Sequence, residues 1–259
     1  MSLCRADKVL LAGGAAVLGS SALLTATPLA FGASAAFLMV LTDGIFRPSS
    51  SVFYPTISHG PRHRPQVALT FDDGPDPEVT PSILDTLAGA GARATFFTIG
   101  RHLERHRDIA ERTLREGHEL GNHSWMHSYL QNFYRTDQQR SDLERSTRLI
   151  QELSGSDAEP LYRAPVGLKS PALARVAHAR KLKVIAWSVH SRDTLSHDSD
   201  TTAARVLARI APGDIVLMHD GHERAGHHRR LAAAALPLIL RGLRERGLTS
   251  VTVSELLRP

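Results

Sequence analysis

Hydrophobic and polar positions divide this chain into two unlike parts. From Val9 to Leu41 no residue is charged, a run too long for a buried strand and long enough to cross a bilayer. Pro28 splits it, which leaves three readings: one kinked span, a tight two-helix hairpin, or a signal peptide cut after Ala33-Ser34-Ala35. The apolar run continues past that cut as Phe37-Leu38-Met39-Val40-Leu41, so residues 1–45 are expected to form a membrane anchor, with the bacterial cytoplasmic membrane as the localisation. Arg5 and Lys8 before the run and Arg47 after it bias the N-terminus towards the cytoplasm. One span would then place the remainder outside, and a hairpin would place it inside. Residues 46–63 contain Pro48, Ser49-Ser50-Ser51, Pro55, Gly60 and Pro61, a linker composition.

Residues 64–259 alternate between short apolar runs and amphipathic stretches. Strands are expected at Val67–Phe71, Ala94–Thr98, Glu119–Gly121, a short segment ending at Arg163, Val184–Trp187, Ile215–Met218 and Ser250–Val253. Between them helices are expected near Pro81–Ala90, Leu103–Glu116, Asp137–Leu153, Pro171–Arg180, Thr202–Ile210 and Arg230–Arg246. Such alternation means a parallel sheet with helices outside it, as a closed or nearly closed barrel or as an open doubly wound sheet. In both, chemistry gathers at the carboxyl ends of the strands.

Composition narrows the picture. At 42% hydrophobic and 22% charged, a chain of this length has the balance of an ordinary globular protein with a sizeable core. The single cysteine, Cys4, excludes an internal disulfide framework and a cysteine-based zinc site. A net charge of +5 favours anionic lipid head groups, glycans or nucleic acid. The arginines are scattered over many helices and are not interleaved with aromatics, which argues against nucleic acid as the partner.

Candidate chemistry begins where the run Val67–Phe71 stops at Asp72-Asp73-Gly74-Pro75. Neighbouring strand side chains point to opposite faces, but Gly74 and Pro75 break the strand and can turn both carboxylates towards one pocket. Two like charges held close suggest one carboxylate on a cation and one acting as a base. His123-Ser124-Trp125-Met126-His127 sets two imidazoles four residues apart, able to reach one ion from a single turn. Ser124 stands where the metalloproteases with a similar His pair carry a glutamate base, so that class is excluded. His222, His227 and His228 read as a solvated loop, Trp187 as core, and Trp125 as either a prop under the histidines or a flank of the groove.

Thr70-Phe71-Asp72-Asp73-Gly74-Pro75, His123-x-x-x-His127, Arg163-x-Pro165 and Leu217-Met218-His219, in that order, resemble the polysaccharide deacetylases of carbohydrate esterase family 4, over residues 64–257. The resemblance implies a distorted (β/α)7 barrel of the NodB-homology type. It also implies one zinc ion on Asp73, His123 and His127, a ligand set that accepts cobalt, nickel or iron as well. Asp72 would be the base, Arg163 its holder, and the Val166 N–H an oxyanion donor. His219 would be the acid, oriented by Asp193. The chain departs from the family pattern at His190-Ser191-Arg192-Asp193-Thr194, which lacks an Asp and a Trp, and at Val166, where an aromatic is common. The implied activity is removal of N-acetyl or N-formyl groups from an amino sugar in a polymer or on a lipid carrier. The alternative is a non-catalytic glycan or head-group binder on the same scaffold.

Overall fold

The computed structural model describes residues 3–22, 27–224 and 226–259. The uncharged N-terminal run folds as two helices, α1 (Arg5–Ala22) and α2 (Thr27–Phe46), and this corrects the expected anchor. Among the described residues no helix is long and apolar enough to cross a membrane. Helix α1 opens with Arg5, Asp7 and Lys8 and is diluted by Gly13, Gly14 and Gly19, and α2 carries Asp43 near its end. Residues 23–26, which join the halves of the expected span, lie outside the described residues. The membrane localisation and the membrane as a partner rest on that span and fall with it.

The foot of the helix pair is fastened to the rest of the protein. Cys4 and Ala6 are buried against Phe53 and Ala174, and Asp7 Oδ1 accepts from Arg175 Nε at 2.7 Å. A Cβ at Gly13 would meet the Phe37 ring at 2.2 Å, so glycine is what lets the two helices approach. Their outer side chains, among them Leu11, Leu18, Phe31 and Leu38, are exposed. Residues 46–63 carry strand β1 (Thr56–Ile57) and are drawn against the body by Lys169, whose Nζ donates to the Pro48 carbonyl at 2.7 Å and to that of Ser50.

The body runs β2 (Gln66–Asp72), α3 (Thr80–Gly89), β3 (Ala94–Thr98), α4 (Gly100–Arg105), α5 (Arg107–Arg115), β4 (Glu119–Asn122), α6 (Thr136–Ser154) and α7 (Pro171–Arg180). It continues with β5 (Val184–Ile185), β6 (Val189–His190), α8 (Ser199–Leu207), β7 (Ile215–His219), α9 (Leu231–Glu245), β8 (Thr249–Ser250) and α10 (Val253–Leu256). All strand pairs are parallel, in the order β4-β3-β2-β7-β6, with β8 beside the start of β2 and β1 beside β5. Tyr162 bridges Asn122 to Val184, and the chain passes from β5 directly into β6, so the strands close into a ring with the helices outside. This is the α/β architecture expected.

Strand β2 positions the site. Val67, Leu69 and Phe71 face the outer layer, packed with residues of α3 and α9 such as Ile83 and Leu236. Ala68 faces the ring interior with Phe97 and Ile215. Both faces are covered, which is why the strand reads as a continuous apolar run. The same alternation sends Thr70 and Asp72 inward.

Candidate active site

Strict alternation would send Asp73 outward with Phe71. Its φ of 78° instead reverses the chain, an uncommon conformation for a residue with a Cβ, and brings its carboxylate round to the pocket of Asp72. The turn is tied by Asp220, whose Oδ1 accepts from the Gly74 N–H at 3.1 Å while Oδ2 accepts from Thr80 Oγ1 at 2.7 Å. A Cβ at Gly74 would lie 2.0 Å from that carboxylate, so only glycine fits. Burial, with the negative charge of Asp73 and Asp72 adding to it and Thr80 opposing, pushes Asp220 up to about 7.

His123 and His127 follow β4 on a loop in which Ser124 and His127 both have positive φ. The buried Asn122 fixes it through Oδ1, accepting from the Ser124 N–H at 2.8 Å, and Ser124 Oγ accepts from the His127 N–H at 2.9 Å. His123 Nδ1 lies 2.8 Å from the Arg163 carbonyl, an acceptor, so Nδ1 carries the proton and Nε2 keeps its lone pair. Burial holds this imidazole neutral, its pKa down at about 3. Asp73 Oδ1 lies 3.5 Å from His123 Nε2 and 3.2 Å from His127 Nε2, and one donor atom from each residue falls within 4.8 Å of the others. That oxygen is buried without a hydrogen-bond partner. An orphaned carboxylate oxygen against two imidazoles is costly unless a cation joins them; one carboxylate and two neutral imidazoles are a fitting donor set for a divalent metal.

The fully buried Arg163 stands inside the ring over the Phe97 face at 4.0 Å. Its NH1 donates to Asp72 Oδ1 and to Thr70 Oγ1, both at 2.7 Å, and NH2 to the Ala186 carbonyl at 3.1 Å. The other oxygen of Asp72 faces His123 Nε2 at 3.7 Å. His219 is the register partner of Asp72 on β7, so the two stand side by side on neighbouring strands. Asp193 holds it twice, Oδ2 accepting from the His219 N–H at 2.8 Å and Oδ1 lying 3.0 Å from Nδ1. Burial alone would lower the His219 pKa, but the Asp193 carboxylate outweighs it and the net shift is upward. Burial likewise works against the Asp193 charge, and His219 and Ser191 outweigh it, so its pKa is depressed.

Asp72, Asp73, His123, His127, Val166 and His219 therefore meet at one cavity of about 210 Å³, with Arg163 and Asp193 directly behind Asp72 and His219. Val166 is half exposed with φ 48°, unusual for a β-branched residue. Among the described residues its N–H has no acceptor. Trp187 and His190 also line the cavity, so Trp187 is groove wall as well as packed against the core, whereas Trp125 is buried beneath the histidine loop with Arg145 over its ring at 3.6 Å. Of the later histidines, His222 and His227 stack with centroids 5.1 Å apart and His228 lies between Asp76 and Glu78 at 2.8 and 3.2 Å; among the described residues they form no second metal-ligand group.

Sequence reasoning missed four contributors. Thr70 was accessible by the period of two that places it on the face of Asp72. Asp220 directly follows His219, but nothing local marks it as a tie for Gly74. Arg229, whose NH1 donates to Asp73 Oδ2 at 2.6 Å, and Tyr129, whose hydroxyl donates to Glu223 Oε1 at 2.7 Å, come from loops with no motif.

The polysaccharide deacetylase family model matches residues 59–185. A peptidoglycan-N-acetylglucosamine deacetylase of Bacillus cereus is 37% identical over 201 residues, covering 76% of this chain and 91% of that protein. A chitooligosaccharide deacetylase of Sinorhizobium fredii is 36% identical over 189 residues, covering 71% of this chain and 87% of that protein. A crystal structure of a peptidoglycan N-acetylglucosamine deacetylase superposes with a TM-score of 0.72 at 31% identity, covering 78% of this chain and 92% of the other.

Proposed function

From the premise that the chain belongs to the polysaccharide deacetylase family, we propose that it hydrolyses the N-acetyl amide of amino sugars in a glycan polymer, with zinc as its metal. It is a metal-dependent amide hydrolase. Similar proteins are named for peptidoglycan N-acetylglucosamine and for chitooligosaccharides, which supports the N-acetyl group and the polymer; the lipid-linked saccharide loses its support with the membrane span.

Asp73, His123 and His127 would hold the cation, which when bound supplies a Lewis acid for the acyl oxygen and acidifies water. Asp72 is the base: Arg163 fixes one oxygen and favours the charged form, leaving the other free to take the proton of the attacking water. The Val166 N–H donates to the oxyanion that develops on the carbonyl. His219, whose protonated form Asp193 favours, gives its proton to the leaving nitrogen as the C–N bond breaks, so the products are acetate and a free amino sugar.

The observation that carries this reading is the pair of aligned couples, Asp72 with Arg163 and His219 with Asp193, on one cavity beside the orphaned Asp73 oxygen. A glycan-binding protein without turnover has no use for either couple. Purified, zinc-loaded protein should release acetate from chitooligosaccharides or peptidoglycan, and a chelator should abolish this. In Asp72→Asn, kcat should fall by about 10²- to 10⁴-fold with folding and metal content intact. A metal-replete protein inert on all such glycans would overturn the proposal.

A further inference from the structure

His127 and Tyr129 line the catalytic cavity, and they also line a neighbouring one of about 580 Å³. Tyr129 stands between the two, its ring edge-on to His127 with centroids 5.8 Å apart and its hydroxyl tied to Glu223. The walls of the second cavity carry Arg101 and Arg105, one turn apart on α4, and Arg224 from the loop after β7. Among the described residues none of these three guanidinium groups forms an ion pair, unlike Arg112 and Arg180, which each bind two carboxylates. Arg101 donates through NH2 to the Glu223 carbonyl, and its buried Nε has no acceptor.

The one carboxylate in the wall, Glu223, accepts from Tyr129 through Oε1, and its buried Oε2 has no hydrogen-bond partner, its nearest cation being Arg229 NH2 at 3.5 Å. What remains is a concave surface in which three guanidinium groups outnumber one carboxylate, opening beside His127. Guanidinium forks match carboxylate and phosphate oxygens, and a cleft lined by one sign concentrates its field on an entering anion.

Resting on the deacetylase reading, we propose that this cavity is a subsite for an anionic group, carboxylate or phosphate, carried on a sugar adjacent to the one whose acetamide enters the catalytic cavity. The protein then works by preference on acidic glycans, with Tyr129 separating the reacting sugar from its charged neighbour. The subsite adds nothing to the chemistry; it sets which strand is held.

The test uses the full, zinc-loaded chain and four probes: N-acetylglucosamine hexamer, the same hexamer bearing a phosphate, soluble peptidoglycan strands, and those strands with their carboxylates converted to methylamides. In the wild type, kcat/KM for native strands should exceed that for amidated strands by about tenfold, the worth of one or two charge-assisted hydrogen bonds, and the advantage should shrink in high salt. In Arg101→Gln/Arg105→Gln/Arg224→Gln the ratio should fall to about one, mainly through KM. Arg105→Gln and Arg224→Gln, both at exposed positions, should each lower it in part even if the triple variant fails to fold. A phosphorylated hexamer favoured over the plain one would make phosphate the anion, and a preference confined to native strands would make it carboxylate. Equal rates on charged and neutral probes, or a preference that survives the variants, would overturn the inference. Turnover of no probe would count against the deacetylase reading instead; calorimetric binding of native and amidated strands to Asp72→Asn would then decide the subsite alone, equal affinities sinking it.

Discussion

Asp72 and Asp73 are neighbours of the same chemistry, and the structure gives them different surroundings, on which the proposed division of roles rests. Arg163 and Thr70 hold Asp72 from inside the ring, whereas Asp73 turns through a positive φ towards two imidazoles. His219 and Asp193 form the second couple, and their shifts fix a pH dependence. In the proposed mechanism His219 must be protonated to serve as the acid, so activity should decline as pH rises through its elevated pKa. In Asp193→Asn the charge that raises it is gone and burial prevails; the alkaline limb of the rate profile should move to lower pH, with kcat at pH 7 down by about 10²-fold. A limb that stays in place would show that another group sets it. For stability, the raised pKa of His219 makes its contribution complete below the ordinary value of 6.5 and lost as pH climbs through the folded value. The depressed pKa of Asp193 makes its contribution complete above 3.8 and lost on acidification through the folded value. The couple therefore stabilises most between those two values. The acidic and histidine motifs were legible because each places its residues within one turn of chain. Arg229 and Asp220 were not, since their partners lie at the far end of the sequence.

Elements carry these residues with varying legibility. The continuous apolar run of β2 announced a buried parallel strand, and Ala94–Thr98 was found at its expected bounds. The expected helix Leu103–Glu116 is instead broken at His106, whose φ of −122° and ψ of 51° separate α4 from α5; periodicity alone cannot detect such a break. At the end of the chain Val253 opens α10, not the close of a strand. Thr252 and Glu255 form a capping box there, a signal present in the sequence and stronger than the short apolar run beside it. The loop from β7 to α9 reaches back over the candidate metal ligands, where Arg229 occupies the second oxygen of Asp73 and leaves Oδ1 to face the imidazoles. Arg229→Gln should weaken zinc binding by about 10- to 100-fold, measured by competition with a chromophoric chelator. Unchanged or tighter binding would show that the guanidinium competes with the cation.

At the scale of the molecule, the uncharged run at the N-terminus misled by its length: Pro28 marked the division, but among the described residues neither resulting helix is long and apolar enough to cross a membrane. Folded as α1 and α2, it is docked through Asp7 and Arg175, and the stretch after it reaches the catalytic end. Pro48 packs where a Cβ on Gly167 would fall, 2.7 Å away, and Lys169 gathers the Pro48 and Ser50 carbonyls immediately behind the loop of Val166. Burial lowers the pKa of that ammonium to about 8, and the two carbonyls accept its hydrogen bonds. A chain beginning at Thr42 should keep kcat near that of the full protein, whereas one beginning at Val52 should lose about tenfold as the Val166 N–H shifts; equal rates would refute the brace. For anyone transplanting this enzyme onto another scaffold, the seam belongs ahead of Pro48. The proline-rich stretch that looks like a tether packs behind the Val166 loop, and a graft cut at Pro65 would inherit every proposed catalytic side chain and lose the buttress behind the Val166 N–H.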